Sequence, residues 1–239
     1  MLELIADNGG EPMRLSAMAA AMDAPKSSVH SILKSLQNRR FLEQADNGGY
    51  RLGIRAFEIG AAYSRQMSLP RAVHPELVNL SRDLTVTAHF AILDGSHVLY
   101  LEKEDPPGPS VRVASAVGAR LPAHLTAVGK AVLAHAVEAA ISQVDLSICG
   151  TSRRPYSRAM LDDELAEVRR AGYAMDDGEA AAGISCIASP VFDAKGRCCG
   201  SIGVSYLSSS ALPQQTVAHR VRSAAGRASR RLGAPGQVT

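Results

Sequence analysis

The chain lacks the compact signatures of nucleotide and hydrolytic chemistry: it has no Walker motif, no G-x-G-x-x-G and no G-x-S-x-G. Seven histidines are scattered without H-x-x-x-H or H-E-x-x-H spacing, so no metal site is signalled and no cofactor is expected. Four cysteines, Cys149, Cys186, Cys198 and Cys199, form no C-x-x-C pair. Adjacent Cys198 and Cys199 on a strand would face opposite ways, and reduced thiols are expected. No apolar run approaches a membrane span, and the start lacks the basic and apolar stretches of a signal peptide. These absences point to the cytoplasm, with no membrane partner. Charge is also scarce as an argument: the net +3 is modest, and residues 1–53 hold six cations against six acids.

What is present is length and apolar content enough for one small and one medium domain, 239 residues with 46% hydrophobic. Residues 15–52 organise the rest. Val29, Ile32, Leu33 and Leu36 fall at i, i+3, i+4 and i+7, the spacing of a helix core face. Ser27, Ser28, His30, Ser31 and Lys34 take the other face, short and able to donate hydrogen bonds. Ahead of it, residues 15–22 read as a short helix with Ser16 as N-cap, and Asp23, Ala24 and Pro25 supply the turn. Two helices joined this tightly form a helix-turn-helix, whose second member enters the DNA major groove. Two short strand-like runs then flank Asn47-Gly-Gly49, a hairpin turn signal, and a hairpin at this place is a wing. Between Ala24 and Leu42 stand four cations, Lys26, Lys34, Arg39 and Arg40, and no acid, a local surface that attracts phosphate. A plain solvated helix is the competing reading; four elements in winged-helix order outweigh it.

Residues 1–7 read as the end of a short first helix, stopped at Asn8, Gly9 and Gly10. After the wing, residues 54–69 read as a linker helix more apolar than solvent requires, with Pro70 as its stop. A partner chain, or the chain's own domains, would cover it. Residues 75–84 form the next helix, after which the period changes from 3.6 to 2. Val86, Ala88, Phe90 and Ile92 alternate with Thr85, Thr87 and His89, turn at Asp94-Gly95 and return through residues 98–101. Residues 110–117 read as a third strand. At Gly118 to Ala134 a strand ends at Leu121-Pro122 and a helix begins with Ala127, Val128 and Gly129 in its first turn. Free amides there would bind a carboxylate, and tight packing on a sheet would want the same small residues. A helix over residues 161–170, strands over 183–192 and 198–206, and a terminal helix over 213–232 complete the chain. Arg220, Arg222, Arg227, Arg230 and Arg231 in that last helix read as a solvated basic face.

Three blocks of residues now carry a likeness: Pro25-Lys-Ser-Ser-Val-His30, Leu121-Pro-Ala-His-Leu-Thr-Ala-Val-Gly-Lys130, and Gly172-Tyr-Ala-Met-Asp176 continuing through Gly183-Ile-Ser-Cys-Ile-Ala188 to Gly200-Ser-Ile-Gly-Val-Ser205. In these the chain resembles the IclR family of bacterial transcriptional regulators over nearly its whole length. The resemblance implies an α+β protein: a winged helix-turn-helix over residues 1–53, a linker and dimerisation helix over 54–70, and an α/β effector domain over 71–239. The effector domain would have a curved antiparallel sheet of the profilin-like or GAF-like kind. The resemblance further implies homodimers, some pairing into homotetramers on operator DNA, and effectors that are small organic or aromatic acids. Carried residue by residue, the effector pocket falls on Leu121, Ala127, Val128, Asp176, Cys186, Gly203 and Ser205, with Ser110 and Val113 added from the third strand. Two departures stand out. Gly203 replaces a frequent serine, which removes a hydroxyl and adds room. Asp177-Gly178-Glu179 replaces a pair of acids, which would loosen the loop after Asp176.

Read from the residues alone, Asp176 is either an acceptor for an effector hydroxyl or a turn residue, Cys186 a pocket wall, a reactive thiol or a core cysteine, and Ser205 a donor or a filler. The leading expectation is a ligand-responsive regulator reading a palindromic double-stranded operator with Lys26, Ser27, Ser28, His30, Ser31, Lys34, Arg39, Arg40 and Arg51, as repressor or activator. Two alternatives stand beside it, an enzyme acting on small acids and a sensor that no longer binds DNA. No nucleophile with a base at usable spacing supports the enzyme.

Overall fold

In the computed structural model, which describes residues 1–108, 116–151 and 156–235, the chain divides into two units, Met1–Met67 and Ser68–Thr239. The first contains α1 (Leu2–Ala6), α2 (Leu15–Ala21), α3 (Lys26–Asn38), a hairpin of β1 (Leu42–Gln44) and β2 (Tyr50–Leu52), and α4 (Ile54–Gln66). Its core gathers Ile5, Met18, Ala19, Val29, Leu33, Leu42 and Tyr50. Val29 and Leu33 anchor α3 there, so Leu33→Ala would cost about 2–5 kcal/mol. Ile32, expected in that core, is 45% exposed. Four positions spread over i to i+7 span a wider arc than this small core covers, and Ile32 falls outside it. Ser16 does not cap α2, because the N-cap position is Arg14 and no side chain closes it. The hairpin turn closes as its sequence predicts: Ala45 N–H donates to the Gly49 carbonyl at 2.8 Å, and Gly48 supplies a left-handed residue at φ +77°.

The second unit opens with α5 (Leu69–Leu84), which starts six residues earlier than expected. Pro70 begins rather than ends a helix here. In the first turn a proline has no hydrogen bond to lose. There follow β3 (Thr87–Asp94), β4 (His97–Glu104), β5 (Arg120–Pro122), a 3-10 turn (Ala123–Leu125), α6 (Ala127–Leu133), α7 (Glu138–Ile141), α8 (Arg158–Ala171), β6 (Ala174–Asp177), β7 (Ile184–Phe192), β8 (Cys198–Leu207) and α9 (Gln214–Arg231). The third strand expected at 110–117 falls largely outside the described residues. The strands make one antiparallel sheet in the order β5-β4-β3-β8-β7-β6. Helices cover both faces. On one, Val73, Leu77 and Leu80 of α5 and Val217, Val221 and Ala225 of α9 pack with Phe90, Ile187, Ile202 and Val204. On the other, Ala127, Val128 and Ala131 of α6 and Leu161 and Leu165 of α8 pack with Ala91, Val98 and Ala188. Phe90 therefore belongs to the α5–α9 side, away from the residues expected to line a pocket.

Two arginines of α9 do more than face solvent. Glu76 of α5 is 1% exposed, and it holds Arg227 at 2.6 Å and Arg231 at 2.8 Å. The basic face thus includes a clamp between α5 and α9, because burying one carboxylate demands paired cations.

Candidate functional site

In the first unit α3 carries Lys26, Ser27, Ser28, His30, Ser31 and Lys34 on its exposed surface, and Arg39 and Arg40 follow its end, exposed as well. Arg40 takes a left-handed conformation at φ +63°, and its carbonyl accepts the Arg55 amide at 3.1 Å. Lys26, Lys34, Arg39 and Arg40 have no ion pair among the described residues. Arg51 differs. It lies opposite Glu43 across the hairpin, with Nε 2.6 Å from the carboxylate, so part of its charge is spent inside the wing.

In the second unit a cavity of about 310 Å³ lies between the sheet and the start of α6. Leu121, Ala127, Val128, Asp176, Cys186, Gly203 and Ser205 all line it, each named by sequence. Ser110 and Val113 lie outside the described residues. Sheet register explains the grouping. Asp176 pairs with Cys186, Cys186 with Ser205, and Ala188 with Gly203, so one line of side chains crosses β6, β7 and β8 on the α6 side. Ser201, two residues ahead of Gly203, ties α6 down by donating to the Val128 carbonyl at 2.7 Å.

His89, Tyr100 and Thr126 also line the cavity, and sequence reasoning missed all three. His89 Nε2 lies 2.7 Å from Ser205 Oγ, and its ring meets Tyr100 edge-on at 5.5 Å. The signal for it was the strand period itself: Thr87, His89 and Ala91 form the second face of β3, buried like the first. Thr126 caps α6 by accepting the Gly129 amide at 3.1 Å. With that amide occupied and only seven residues in the helix, α6 offers less to a carboxylate than its sequence predicted.

Asp176 fills both roles left open for it. It lines the cavity, and its Oδ1 accepts the Glu179 amide at 2.6 Å and the Ala180 amide at 3.4 Å. Burial pushes its carboxyl up to about 6 against the pull of those amides. Cys186 Sγ lies 3.0 Å from Ser205 Oγ, and burial beside Asp176 raises its thiol to about 12, so it is no nucleophile. His89 is lowered to about 4, first by burial and then by Lys103, and is neutral at pH 7. Ser205 and His89 do form a serine–histidine contact. With so weak a base, and with His89 Nδ1 unpartnered among the described residues, the pair is poorly built for proton abstraction.

The loop after Asp176 is tied rather than loose. Lys130, 2% exposed, reaches Glu179 at 2.7 Å, Glu164 at 2.8 Å and the Met175 carbonyl at 3.3 Å. Thr151 Oγ1 donates to the Gly178 carbonyl, and its amide donates to that of Glu179 at 2.9 Å. The Asp177-Gly178-Glu179 stretch, expected to loosen this loop, instead supplies in Glu179 the carboxylate that fastens it.

Two domain models match this chain. The bacterial transcriptional regulator IclR C-terminal domain matches residues 61–230, and the IclR helix-turn-helix domain matches residues 1–46. The chain belongs to the IclR family. This IclR-family chain is 33% identical over 214 residues to the HTH-type transcriptional regulator XynR of Escherichia coli K12, covering 87% of this chain and 84% of that one. It is 31% identical over 201 residues to the transcriptional repressor IclR of the same organism, covering 81% and 72%. In fold it is similar to an IclR homolog from Microbacterium hydrocarbonoxydans solved with 4-hydroxybenzoate, with a TM-score of 0.80 and 24% identity over 92% of this chain and 91% of that one. As a member of the IclR family the chain is a DNA-binding transcriptional regulator with a C-terminal effector domain. Its relatives are regulators rather than enzymes, and neither the small-acid enzyme nor the sensor without DNA binding is favoured. No helix among the described residues is long and apolar enough to cross a membrane.

Proposed function

We propose that α3 docks in the major groove of a palindromic operator, that two copies of the chain read its two half-sites, and that a small, partly apolar organic or aromatic acid in the cavity alters operator affinity. The observation that carries the DNA half is the exposed, acid-free face of α3, with Lys26 and Lys34 on it and Arg39 and Arg40 just past its end, none of them in an ion pair among the described residues. Ser27, Ser28, His30 and Ser31 would meet base edges, and the cations phosphates. Arg51, engaged by Glu43, is the weakest member of this set.

Pairing of chains is supported by α4. None of its residues is buried, yet it presents Phe57 at 72% exposure together with Ile54, Ile59 and Tyr63. The effector half is supported by the cavity, whose wall is largely Leu121, Val128, Ile184 and small residues, with polar groups gathered along one line. The compound found in the Microbacterium protein, 4-hydroxybenzoate, is a first probe for it.

The test is operator binding as a function of salt. Lys34→Ala with Arg40→Ala should weaken affinity and reduce the magnitude of the salt slope by about 1–2, close to 0.9 for each phosphate no longer neutralised. Unchanged affinity and slope would refute the docking.

A further inference from the structure

The polar line in the cavity has a direction. Asp176, Cys186 and Ser205 are successive cross-strand partners, and His89, which pairs with Gly203, reaches diagonally to Ser205. The separations are 3.0 Å from sulfur to hydroxyl and 2.7 Å from hydroxyl to imidazole. Three of these groups can either donate or accept, and the ionised Asp176 carboxylate can only accept. A carboxylate is the strongest acceptor in the row, so the thiol turns its proton toward Asp176. The Ser205 hydroxyl then donates to sulfur, and His89 donates through Nε2 to the hydroxyl oxygen. Every proton in the row runs toward Asp176. What remains for a ligand is lone pairs on Ser205 Oγ and on the carboxylate; His89 Nδ1 is sealed from the cavity with no partner among the described residues, so His89 acts on a ligand through Ser205.

Resting on the effector reading above, we infer that His89 is a specificity-determining residue of the cavity, held as the Nε2–H tautomer by its bond to Ser205, and that this row accepts a hydrogen bond from a ligand hydroxyl instead of holding a carboxylate. An acid effector would therefore carry a hydroxyl as its second polar group. A ligand carboxylate placed on the row would face Asp176 across acceptors alone, with no lysine or arginine among the described lining residues to offset it. Two cations stand close by and both are engaged: Lys130 with Glu179 and Glu164, and Lys103, the cross-strand partner of His89, with Asp105 at 3.2 Å.

Long-range proton–nitrogen spectra of the full chain labelled with 15N-histidine test this without any ligand, the His89 signals being assigned by their loss in His89→Gln. At pH 7 wild type should show His89 neutral and protonated at Nε2, and Ser205→Ala should shift it toward the Nδ1–H form. A wild-type Nδ1–H tautomer or imidazolium, or a tautomer indifferent to Ser205→Ala, overturns the row. The ligand arm compares 4-hydroxybenzoate with 4-methylbenzoate by thermal shift. Wild type should bind the hydroxy compound about tenfold or more tightly, because a site built for a hydroxyl rejects its absence. His89→Phe, which keeps an aromatic ring, should erase that preference. Equal binding by wild type overturns the hydroxyl assignment. Binding of neither compound counts against the aromatic-acid reading and the ligand half of this inference together, while the tautomer still decides the row.

Discussion

At Gly203 a β-carbon would sit 2.7 Å from Val128 Cγ1 and 3.1 Å from Ala188 Cβ. The room vacated by a serine is thus occupied from across the layer, by a side chain on α6. Gly203→Ser should destabilise the chain by about 1–3 kcal/mol through overpacking, and adding Val128→Ala should recover part of the loss, read as melting temperatures. Sequence located Gly203 in the cavity and misjudged its effect, because strand period reports which face a residue takes and says nothing of what leans on it. His89 was missed for the complementary reason: on a sheet covered on both sides, a polar residue between two apolar faces carries no mark of burial. Its folded pKa of about 4 lies below the ordinary 6.5, so its contribution to stability is complete above pH 6.5 and is lost as pH falls through 4. Asp176, raised from 3.8 to about 6, acts oppositely, contributing below 3.8 and losing that contribution as pH rises through 6. Removing the histidine should leave only the second effect. The melting temperature of His89→Phe should therefore rise relative to wild type between pH 7 and pH 4.5, and parallel curves would contradict the burial of a neutral imidazole.

Among the elements, the winged helix was the most legible, since α3, the hairpin and its turn are each fixed by residues within a few positions of one another. The α5–α9 clamp was not. Glu76 and Arg227 are 151 residues apart, and five arginines without a neighbouring acid look solvated until the partner helix is in place. The clamp also orders its own variants. Arg227→Ala with Arg231→Ala strands a buried carboxylate and should cost about 3–5 kcal/mol, more than Glu76→Gln, which leaves two half-exposed guanidiniums that water can reach. Equal losses by denaturant unfolding would mean that Glu76 rehydrates. On α4 the exposed Phe57 and Tyr63 make a different prediction. Phe57→Glu with Tyr63→Glu should lower the oligomeric state seen by sedimentation without lowering the melting temperature of a monomer, because neither side chain is buried in its own chain. An unchanged oligomer would place the pairing surface elsewhere.

For the whole molecule, the family and the division of labour were readable from three blocks of sequence, while the chemistry of the cavity came from a register that joins residues of β3, β6, β7 and β8. Regulation requires that these two halves be energetically coupled, since a ligand shifts operator affinity only by its differential affinity for the DNA-competent state. A ligand at a hundred times its dissociation constant should add about 2.7 kcal/mol of stability, enough to identify it by melting before any operator is known. The decisive measurement is then the affinity of the full chain for its mapped operator with and without that ligand at fixed salt. A change of about fivefold or more, abolished in His89→Phe at the same ligand concentration, is the predicted result; an operator affinity identical with the cavity empty and saturated would contradict the account.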